Sequence, residues 1–394
     1  LNIDPREGAT RNDSQVGIQE LFIDKHLRDV SSRYDFDSLR IGIQPFNADF
    51  RGFLFLDEQL GIRLFGNRNN NKLLYNLAWF RRIEKDTNSG LNAIEEPLRK
   101  DDVFVANMYF QDWPVLGFTS EIIALYNRNT EGDDEPYFNR NGFIERPASI
   151  GLEAPRSYDV LYLGLAGDGH LGRLNLSATS YLAFGSADRG VFVDRETDIE
   201  AGFWAAEASF DKDWQRYRLS LLYATGDKDP FDDKENGFDA VFEEPIFAGA
   251  DTSYWIGQAI PFIGGGIVQL TTLDGVLNNL RSTKEEGQSN FSNPGTVLVG
   301  LGADFDITPQ FRLSANVNQL WFATTEVIEE ARAQADIDPS IGTDISLSTI
   351  YRPFFTQNII FRAAAAALIP GKGYEALFGD EMGYSVLLNL ILAY

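Results

Sequence analysis

Arginine is the residue type whose spacing most strongly indicates chemistry in this sequence. In the segment Arg216-Tyr217-Arg218-Leu219, arginines alternate with apolar residues, so they share one face of an extended chain. Eight arginines have such positions: Arg40, Arg63, Arg82, Arg216, Arg218, Arg312, Arg352 and Arg362. If these faces line a pore, their positive field attracts anions.

Carboxylates are fewer on the same faces. We place Glu121 and Glu207 in the pore lining with the arginines, and Asp159, Asp304 and Asp344 are further acidic positions of this kind. An excess of arginine favours an anion-attracting lumen. Cross-strand pairing of arginine with carboxylate would instead brace the wall. Both interpretations stay open at this point.

A second candidate site is an acidic segment that begins at Gly226. Its carboxylates Asp227, Asp229, Asp232 and Asp233 are hard oxygen ligands of the kind that Ca²⁺ prefers. The spacing lacks the glycine and the terminal glutamate of an EF-hand loop. The segment is therefore either a calcium site or a solvated acidic loop, and no other cofactor is expected.

The composition excludes several classes of protein. The 394 residues contain no Cys and only 2 His, so thiolate metal sites and multi-histidine centres are impossible. A net charge of −24 argues against nucleic-acid binding, which needs a basic face. Neither His26 nor His170 lies in a nucleophile motif, so we predict that the chain is not an enzyme. No apolar run approaches the roughly 18 residues of a membrane-spanning helix.

Alternation at period two dominates the chain and predicts an all-β fold. In Arg312–Trp321, for example, Leu313, Ala315 and Val317 share one face. The alternation predicts fifteen strands, at 16–24, 38–45, 60–67, 72–82, 102–111, 117–128, 158–166, 171–183, 199–210, 215–225, 296–307, 310–323, 343–352, 357–368 and 384–394. Many have the 9 to 11 residues of a membrane-crossing strand, and globular strands are usually shorter.

Aromatic residues near the strand ends indicate a membrane wall. Trp79, Phe110, Trp204 and Trp321 have such positions, as expected for the interfacial girdles of a barrel. Residues 384–394 alternate and end on an aromatic residue, which resembles the last strand of bacterial outer-membrane barrels. We therefore predict one antiparallel, up-and-down transmembrane β-barrel over residues 1–394, located in the bacterial outer membrane.

The connections predict the direction of the strands. Those after odd strands are short, except 25–37, and those after even strands are long. Because periplasmic turns of such barrels are short, odd strands run toward the periplasm. Bacterial barrels of this kind have an even number of strands. The fifteen predicted strands therefore favour a barrel of about 16 strands, with one strand preceding Leu1. The sequence Gly164-Leu-Ala-Gly-Asp-Gly169 reads as a tight turn.

Two connections are too apolar for free external loops. Residues 226–295 contain the apolar stretches 256–269 and 273–280, which fold into the barrel as a constriction or pack against a partner. The Phe-rich segment 45–57 extends the flanking strands or folds over the mouth. For the rest of the apolar residues, we expect positions around the barrel wall and no central core.

Two short stretches resemble a known family. Leu39–Gln44, and Gly226–Pro230 together with Asp239–Phe242, are similar to elements of the alginate-export-like outer-membrane barrels. The resemblance covers about a tenth of the chain, and it departs at the Gly-rich insert after Phe242. It implies an arginine-rich lumen that passes an anionic polysaccharide.

Two functions fit the sequence. The first is a porin or exporter that passes polar or anionic solutes through an arginine-lined lumen. The second is a structural barrel that anchors or encloses a partner, such as a lipoprotein, an appendage or a multihaem electron-transfer protein. In both cases the wall contacts outer-membrane lipids and lipopolysaccharide, and a protein partner would bind at the lumen or the outer loops.

Overall fold

In the part of the chain that the structure describes, fifteen long strands follow one another around the wall, and each pairs antiparallel with the next. They are β1 (Leu21–Asp29), β2 (Phe36–Asn47), β3 (Leu56–Arg68), β4 (Leu73–Arg81), β5 (Asp101–Phe110), β6 (Phe118–Thr130), β7 (Ser157–Leu171), β8 (Leu174–Ala187), β9 (Thr197–Lys212), β10 (Gln215–Ala224), β11 (Thr296–Thr308), β12 (Phe311–Trp321), β13 (Ser340–Tyr351), β14 (Ile359–Pro370) and β15 (Gly383–Leu392). The two-residue strand Lys234–Glu235 pairs parallel with β9 and brings the sheet to 16 strands.

The computed structural model describes residues 16–86, 90–132, 156–257, 288–354 and 358–392, and the backbone of the short strands Ile3–Asp4, Ala9–Thr10, Tyr137–Phe138 and Ile144–Arg146. Most of the apolar stretches 256–269 and 273–280, and the terminal Tyr394, lie outside the described residues. Three short helices connect strands: α1 (Tyr254–Gly257), α2 (Glu326–Arg332) and α3 (Lys372–Phe378). Among the described residues, no helix is long and apolar enough to cross a membrane.

The outer face of the wall is apolar and exposed. On β7, Leu161, Leu163 and Leu165 are 38%, 45% and 61% exposed, whereas Val160 and Tyr162, which alternate with them, are fully buried. The same alternation exposes Tyr217, Leu219, Leu221 and Tyr223 on β10. Apolar surface of this extent is unfavourable in water, at about 25 cal/mol per Å². The exposed face is therefore a lipid-contacting face, and the predicted transmembrane β-barrel is confirmed.

Rows of side chains mark one edge of this lipid-contacting face. Trp79, Phe104 and Tyr126 are register neighbours on β4, β5 and β6, and all three are exposed. Two residues farther along these strands, Arg81 makes a bidentate ion pair with Asp102 at 2.7 Å. Aromatic side chains followed by charged ones are typical of the boundary between hydrocarbon and head groups. The long connections leave the wall at this end, which we call the long-loop end.

The charged row includes Asp159, which the alternation had wrongly placed in the lumen. Tyr126 donates a 2.6 Å hydrogen bond to Asp159 on the outer face, and Arg128 lies 3.7 Å from it. The prediction failed because Tyr158, Val160 and Tyr162 face inward on this strand. Apolar side chains on β7 therefore occupy both faces.

The predicted turn at Gly164–Gly169 is also wrong, because β7 continues through it to Leu171. A Cβ atom on Gly164 would lie 2.3 Å from the ring of Tyr181, and one on Gly167 would lie 2.7 Å from the ring of Phe118. These glycines make room for aromatic rings from neighbouring strands. The turn is formed by Gly172 and Arg173.

The first hairpin removes the one exception, connection 25–37, to the rule that connections after odd strands are short. Strand β1 begins at Leu21, five residues later than the predicted start at 16, and it pairs with β2 from Leu21↔Ile43 to Asp29↔Phe36. The connection therefore shrinks to Val30–Asp35. All connections after odd strands are then short, and we call this side of the wall the short-turn end. A further strand before Leu1 stays a prediction.

A buried core fills part of the barrel, contrary to the expectation that there is none. Tyr181 and Phe203 face inward from β8 and β9, and their rings stack at 6.2 Å between centroids. Phe53 lies 5.0 Å from Phe203, and Phe238 lies 5.3 Å from it. Three inward segments supply this core from the connections: residues 48–55, 237–255 and 288–295. The apolar stretches 256–269 and 273–280, for which inward folding was one of two expectations, lie mostly outside the described residues, so that expectation stays a prediction.

Polar contacts fix the inward segments to the wall. The carboxylate of Asp49 accepts backbone N–H groups from Arg51 and Gly52, at 2.7 and 2.6 Å. On the opposite side, Asp344 of β13 accepts the N–H groups of Tyr254 and Trp255 at the start of α1. Buried carboxylates therefore satisfy backbone donors that the wall strands cannot reach.

Candidate functional site

A cavity of about 500 Å³ opens inside the barrel at the short-turn end, and we call it the vestibule. Its charged lining consists of Arg51, Asp168, Glu207, Arg216, Arg218, Asp304, Arg312 and Arg362. Neutral polar side chains complete the wall, among them Asn175, Ser177, Ser209, Ser314, Asn316 and Ser348. Residues 246–252 of the inward segment cover the vestibule, and we call them the roof segment.

Period-two alternation places the wall arginines together. Arg216 and Arg218 follow the tight turn between β9 and β10, so both point inward within two residues of each other. Asp304 on β11 is the register partner of Arg216, and Arg312 on β12 is the register partner of Asp306. Antiparallel pairing therefore brings residues distant in sequence into one polar row across three strands.

Each wall arginine of the vestibule has a carboxylate partner. Arg216 donates to both oxygens of Asp211, at 2.5 and 2.9 Å, and Arg312 donates to both oxygens of Asp306, at 2.6 and 2.9 Å. Arg218 is bonded to Asp304. It also donates a 2.8 Å hydrogen bond to Asn316. Such bidentate pairs fix the guanidinium groups in place.

Two further ion pairs join the inward segments to the wall. Arg51 donates to Ser177 at 2.9 Å and to Glu207 at 3.4 Å, and it donates to the carbonyl oxygen of Ile246 at 3.3 Å. Arg362 on β14 donates to both oxygens of Asp251 in the roof segment, at 2.7 and 2.6 Å. These pairs connect two inward segments and three wall strands around one cavity.

Arginines outnumber carboxylates among the side chains that line the vestibule itself. Five arginines and three carboxylates line it. The partner carboxylates Asp211, Asp251 and Asp306 lie outside that lining and pair with Arg216, Arg362 and Arg312.

The structure brings together five of the ten predicted lumen residues: Arg216, Arg218, Arg312, Arg362 and Glu207. The others are dispersed. Arg63 lines a second cavity of about 560 Å³ on the far side of the 48–55 segment, and Arg40 pairs with Asp24 at 2.8 Å.

Three predicted residues lie away from both cavities. Arg82 follows the end of β4 and forms a buried ion pair with Asp101 at 3.1 Å. Glu121 is buried and accepts a 2.9 Å hydrogen bond from Asn107. Arg352 follows β13 in a turn, where its backbone N–H donates to Gln310.

Sequence reasoning missed Arg51 and Asp251, the two residues that connect the inward segments to the vestibule wall. Both belong to connections, where alternation carries no information. The only available signal was the aromatic composition around Arg51, in Asp49-Phe-Arg-Gly-Phe53, which indicates a buried segment.

The four predicted calcium ligands differ in exposure: Asp227 is buried, Asp232 is partly exposed, and Asp229 and Asp233 are exposed. Asp227 is 1% exposed, and one of its oxygens has no hydrogen-bond partner. Asp229 and Asp232 accept nearby backbone N–H groups, from Phe231 at 3.2 Å and from Lys234 at 2.7 Å. Within the described part of the chain, no three acidic or histidine side chains are grouped to hold a metal ion. Calcium binding stays a prediction.

Burial raises the pKa of Asp227 to about 7. The backbone N–H of Asp229, at 3.4 Å, opposes this shift, and the carboxylates of Glu235 and Asp232 add to it. Asp227 therefore titrates near neutral pH.

The two histidines have ordinary polar partners. His170 contacts Asn175 at the turn between β7 and β8. His26 lies 3.0 Å from Asp29 on β1.

Comparison with known proteins gives structural similarity only. No family model and no curated protein matches the sequence. The solved structure of OccK2 (OpdF) from Pseudomonas aeruginosa is similar over 95% of this chain and 81% of its own, at 13% identity and a TM-score of 0.47. OprD from the same organism is similar over 90% of this chain and 76% of its own, at 12% identity and a TM-score of 0.45. A BenF-like porin from Pseudomonas fluorescens Pf-5 is similar over 91% of this chain and 75% of its own, at 10% identity and a TM-score of 0.46.

The wall of this chain itself gives its location. Long antiparallel strands, an exposed apolar outer face and an aromatic row at its edge are together the features of bacterial outer-membrane barrels. The protein is an outer-membrane β-barrel. The finer resemblance to alginate-export-like barrels stays a prediction.

Proposed function

We propose that the protein is an outer-membrane channel for small polar solutes, with a preference for anionic ones. The observation that supports this most directly is the vestibule: a polar cavity inside a lipid-facing wall, lined by five arginines and three carboxylates. A polar lumen lets a solute exchange its hydration for hydrogen bonds. The surplus of guanidinium groups raises the local concentration of anions.

Pairing limits the strength of the expected anion preference. Each wall arginine already contacts a carboxylate, so its charge is partly compensated. We therefore expect a moderate preference for anions rather than exclusion of neutral solutes. The neutral groups Asn175, Ser177 and Ser209 along one side favour solutes that also carry hydroxyl or amide groups.

The alternative function, a structural barrel that anchors a partner, rests on the Phe-rich segment 50–55 and on the apolar insert 256–280, whose surfaces would need cover from another protein. Phe53 and Phe55 are buried inside this barrel, so the chain's own wall covers the first of these segments. Most of the insert lies outside the described residues, so its need for a partner stays a prediction.

Liposome swelling tests the channel proposal. Purified protein is reconstituted, and the influx of propionate is compared with that of propionamide, which has the same size and no charge. We expect both to enter, propionate faster. The triple variant Arg216→Gln, Arg218→Gln and Arg312→Gln should lower the propionate/propionamide ratio.

The matched control is the double variant Arg81→Gln and Arg128→Gln, which removes charge from the outer rim and leaves the vestibule intact. Its ratio should equal that of the wild type. Liposomes that admit neither solute would contradict the channel. A triple variant with an unchanged ratio would contradict the role of the vestibule arginines.

A further inference from the structure

The pair between Arg362 and Asp251 differs from the other bidentate pairs of the vestibule. Arg216–Asp211 and Arg312–Asp306 each join neighbouring wall strands, whose backbone ladder holds both partners in place. Arg362 is also a wall residue, but Asp251 lies 111 residues away in the roof segment. Only the roof segment would have to move for this pair to open.

The geometry of the pair is that of a bound carboxylate. Both terminal nitrogens of Arg362 donate to the two oxygens of Asp251, at 2.7 and 2.6 Å. A guanidinium group recognises a free carboxylate through the same planar fork. Half of the Asp251 side chain is exposed, so water and solutes reach the pair.

The backbone of the roof segment is held in a strained conformation. Ala248, Gly249 and Ala250 have φ angles of 45°, 99° and 49°. Two alanines in the left-handed region are costly, because their Cβ atoms crowd the backbone. Such a conformation persists only where surrounding contacts hold it. Here these contacts include the hydrogen bond from Asn318 to the carbonyl oxygen of Ala248, at 2.9 Å, and the Arg362–Asp251 pair.

Resting on the proposed channel function, we propose that Asp251 is an internal competitor for the anion site at Arg362. A solute carboxylate that enters the vestibule exchanges with Asp251 on the guanidinium group and releases the roof segment. The substrate class that follows is a small monocarboxylate, since one fork accepts one carboxylate group. Arg362 and Asp251 are then the residues that determine specificity.

Competition of this kind reduces the apparent affinity for the solute. The solute binds only when Asp251 has left, so the fraction of open pairs multiplies the intrinsic affinity. Partly exposed ion pairs are weak enough for such exchange. We therefore expect removal of the Asp251 charge to tighten carboxylate binding about fivefold.

The first experiment measures binding without transport. Detergent-solubilised protein is titrated with 3,3,3-trifluoropropionate and followed by ¹⁹F NMR. Asp251→Asn should bind the probe about fivefold more tightly than the wild type, and Arg362→Gln should lose this site. The control is Asp102→Asn, which removes the bidentate partner of Arg81 at the outer rim and leaves the vestibule pairs intact. Its affinity at the Arg362 site should change less than twofold.

The second experiment follows the roof segment. Because the chain has no cysteine, Ala250→Cys can be labelled uniquely with a trifluoromethyl thiol reagent. Propionate should shift the label resonance in the wild-type background, and propionamide should not. In the Asp251→Asn background, the label should already be shifted without propionate.

Equal affinities of the wild type and Asp251→Asn would overturn the competitor role, as would equal gains in Asp251→Asn and Asp102→Asn. A label that does not respond to propionate would overturn release of the roof segment. These results are independent of swelling: a protein that binds as expected but admits no solute would contradict the channel function and leave the anion site in place.

Discussion

The phenol of Tyr181 on β8 donates a 2.7 Å hydrogen bond to the carboxylate of Asp49, at the centre of the inward segment 48–55. The same carboxylate accepts four consecutive backbone N–H groups, from Arg51 to Leu54. One wall residue thus fixes the group around which the whole inward segment folds. This segment carries Arg51 into the vestibule. The hydrogen bond of Tyr181 therefore supports the vestibule from the buried core of the barrel.

Removal of this hydrogen bond should weaken the barrel interior. Tyr181→Phe keeps the ring stacked on Phe203 and deletes only the hydroxyl group. We expect the free energy of unfolding to fall by about 1–2 kcal/mol, since a buried charged acceptor loses a donor. Urea titration of the heat-modifiable folded band on gels measures this. Tyr126→Phe deletes an exposed hydroxyl–carboxylate contact on the outer rim and should cost less than half as much.

Because the outer face contacts lipid, the cost of placing a charge on it should depend on how deep the position lies in the bilayer. Leu163 lies midway along β7 and Leu171 at its short-turn end, and their exposed fractions are similar, 45% and 42%. Leu163→Arg should destabilise the folded barrel in lipid vesicles by about 2–4 kcal/mol, and Leu171→Arg by about 1 kcal/mol or less. Equal costs at the two positions would be inconsistent with a membrane around this strand.

The glycine at position 164 should be intolerant of even one methyl group. Its Cβ would lie 2.3 Å from the buried Tyr181 ring, which the hydrogen bond to Asp49 holds in place. Gly164→Ala should cost about 1–3 kcal/mol in the same urea titration. At Gly202 the nearest atom is the far edge of the exposed Trp204 ring, which can turn away. Gly202→Ala therefore serves as the control, with a smaller expected loss.

The raised pKa of Asp227 predicts that the stability of the protein depends on pH. Its pKa is about 7 in the folded protein and about 3.9 in an unfolded chain. Between pH 4 and pH 7, the folded state keeps a proton that the unfolded state has lost. The free energy of unfolding should therefore decrease as pH rises through this window, by about 2–4 kcal/mol, and then level off.

Apparent Tm measured from pH 4 to pH 8, with EDTA present, tests this pH dependence. Asp227→Asn should remove most of the decrease, because asparagine does not titrate. Asp233→Asn, at an exposed carboxylate in the same segment, should leave the pH profile nearly unchanged. A wild-type profile that rises between pH 4 and pH 7 would show that other carboxylates dominate.

Alternation predicted the wall well because it reports directly which side chains face lipid. All fifteen predicted strands correspond to strands of the structure, from the first hairpin to Gly383–Leu392. It failed at Gly164–Gly169 and at Asp159, where β7 is apolar on both faces. There the interior is filled by Tyr158 and Tyr162, and a two-sided apolar strand gives alternation no contrast.

The candidate site was predictable only in its wall residues. Arg216, Arg218, Arg312 and Arg362 were found because strand periodicity places them on the inner face. Periodicity contains no information on which inner residues face water and which face a core. For this reason the burial of Arg82 and Glu121 could not be predicted. Arg51 and Asp251 were missed because their positions depend on how the connections fold inward.

The reversal potential of the purified wild-type protein in a planar bilayer tests the channel proposal most directly. With KCl at a tenfold higher concentration on one side, the vestibule arginines predict a measurable single-channel current and a reversal potential displaced moderately toward that of Cl⁻. A displacement toward the potential of K⁺ would contradict the anion preference. A bilayer that contains the folded barrel and carries no current would contradict the channel itself.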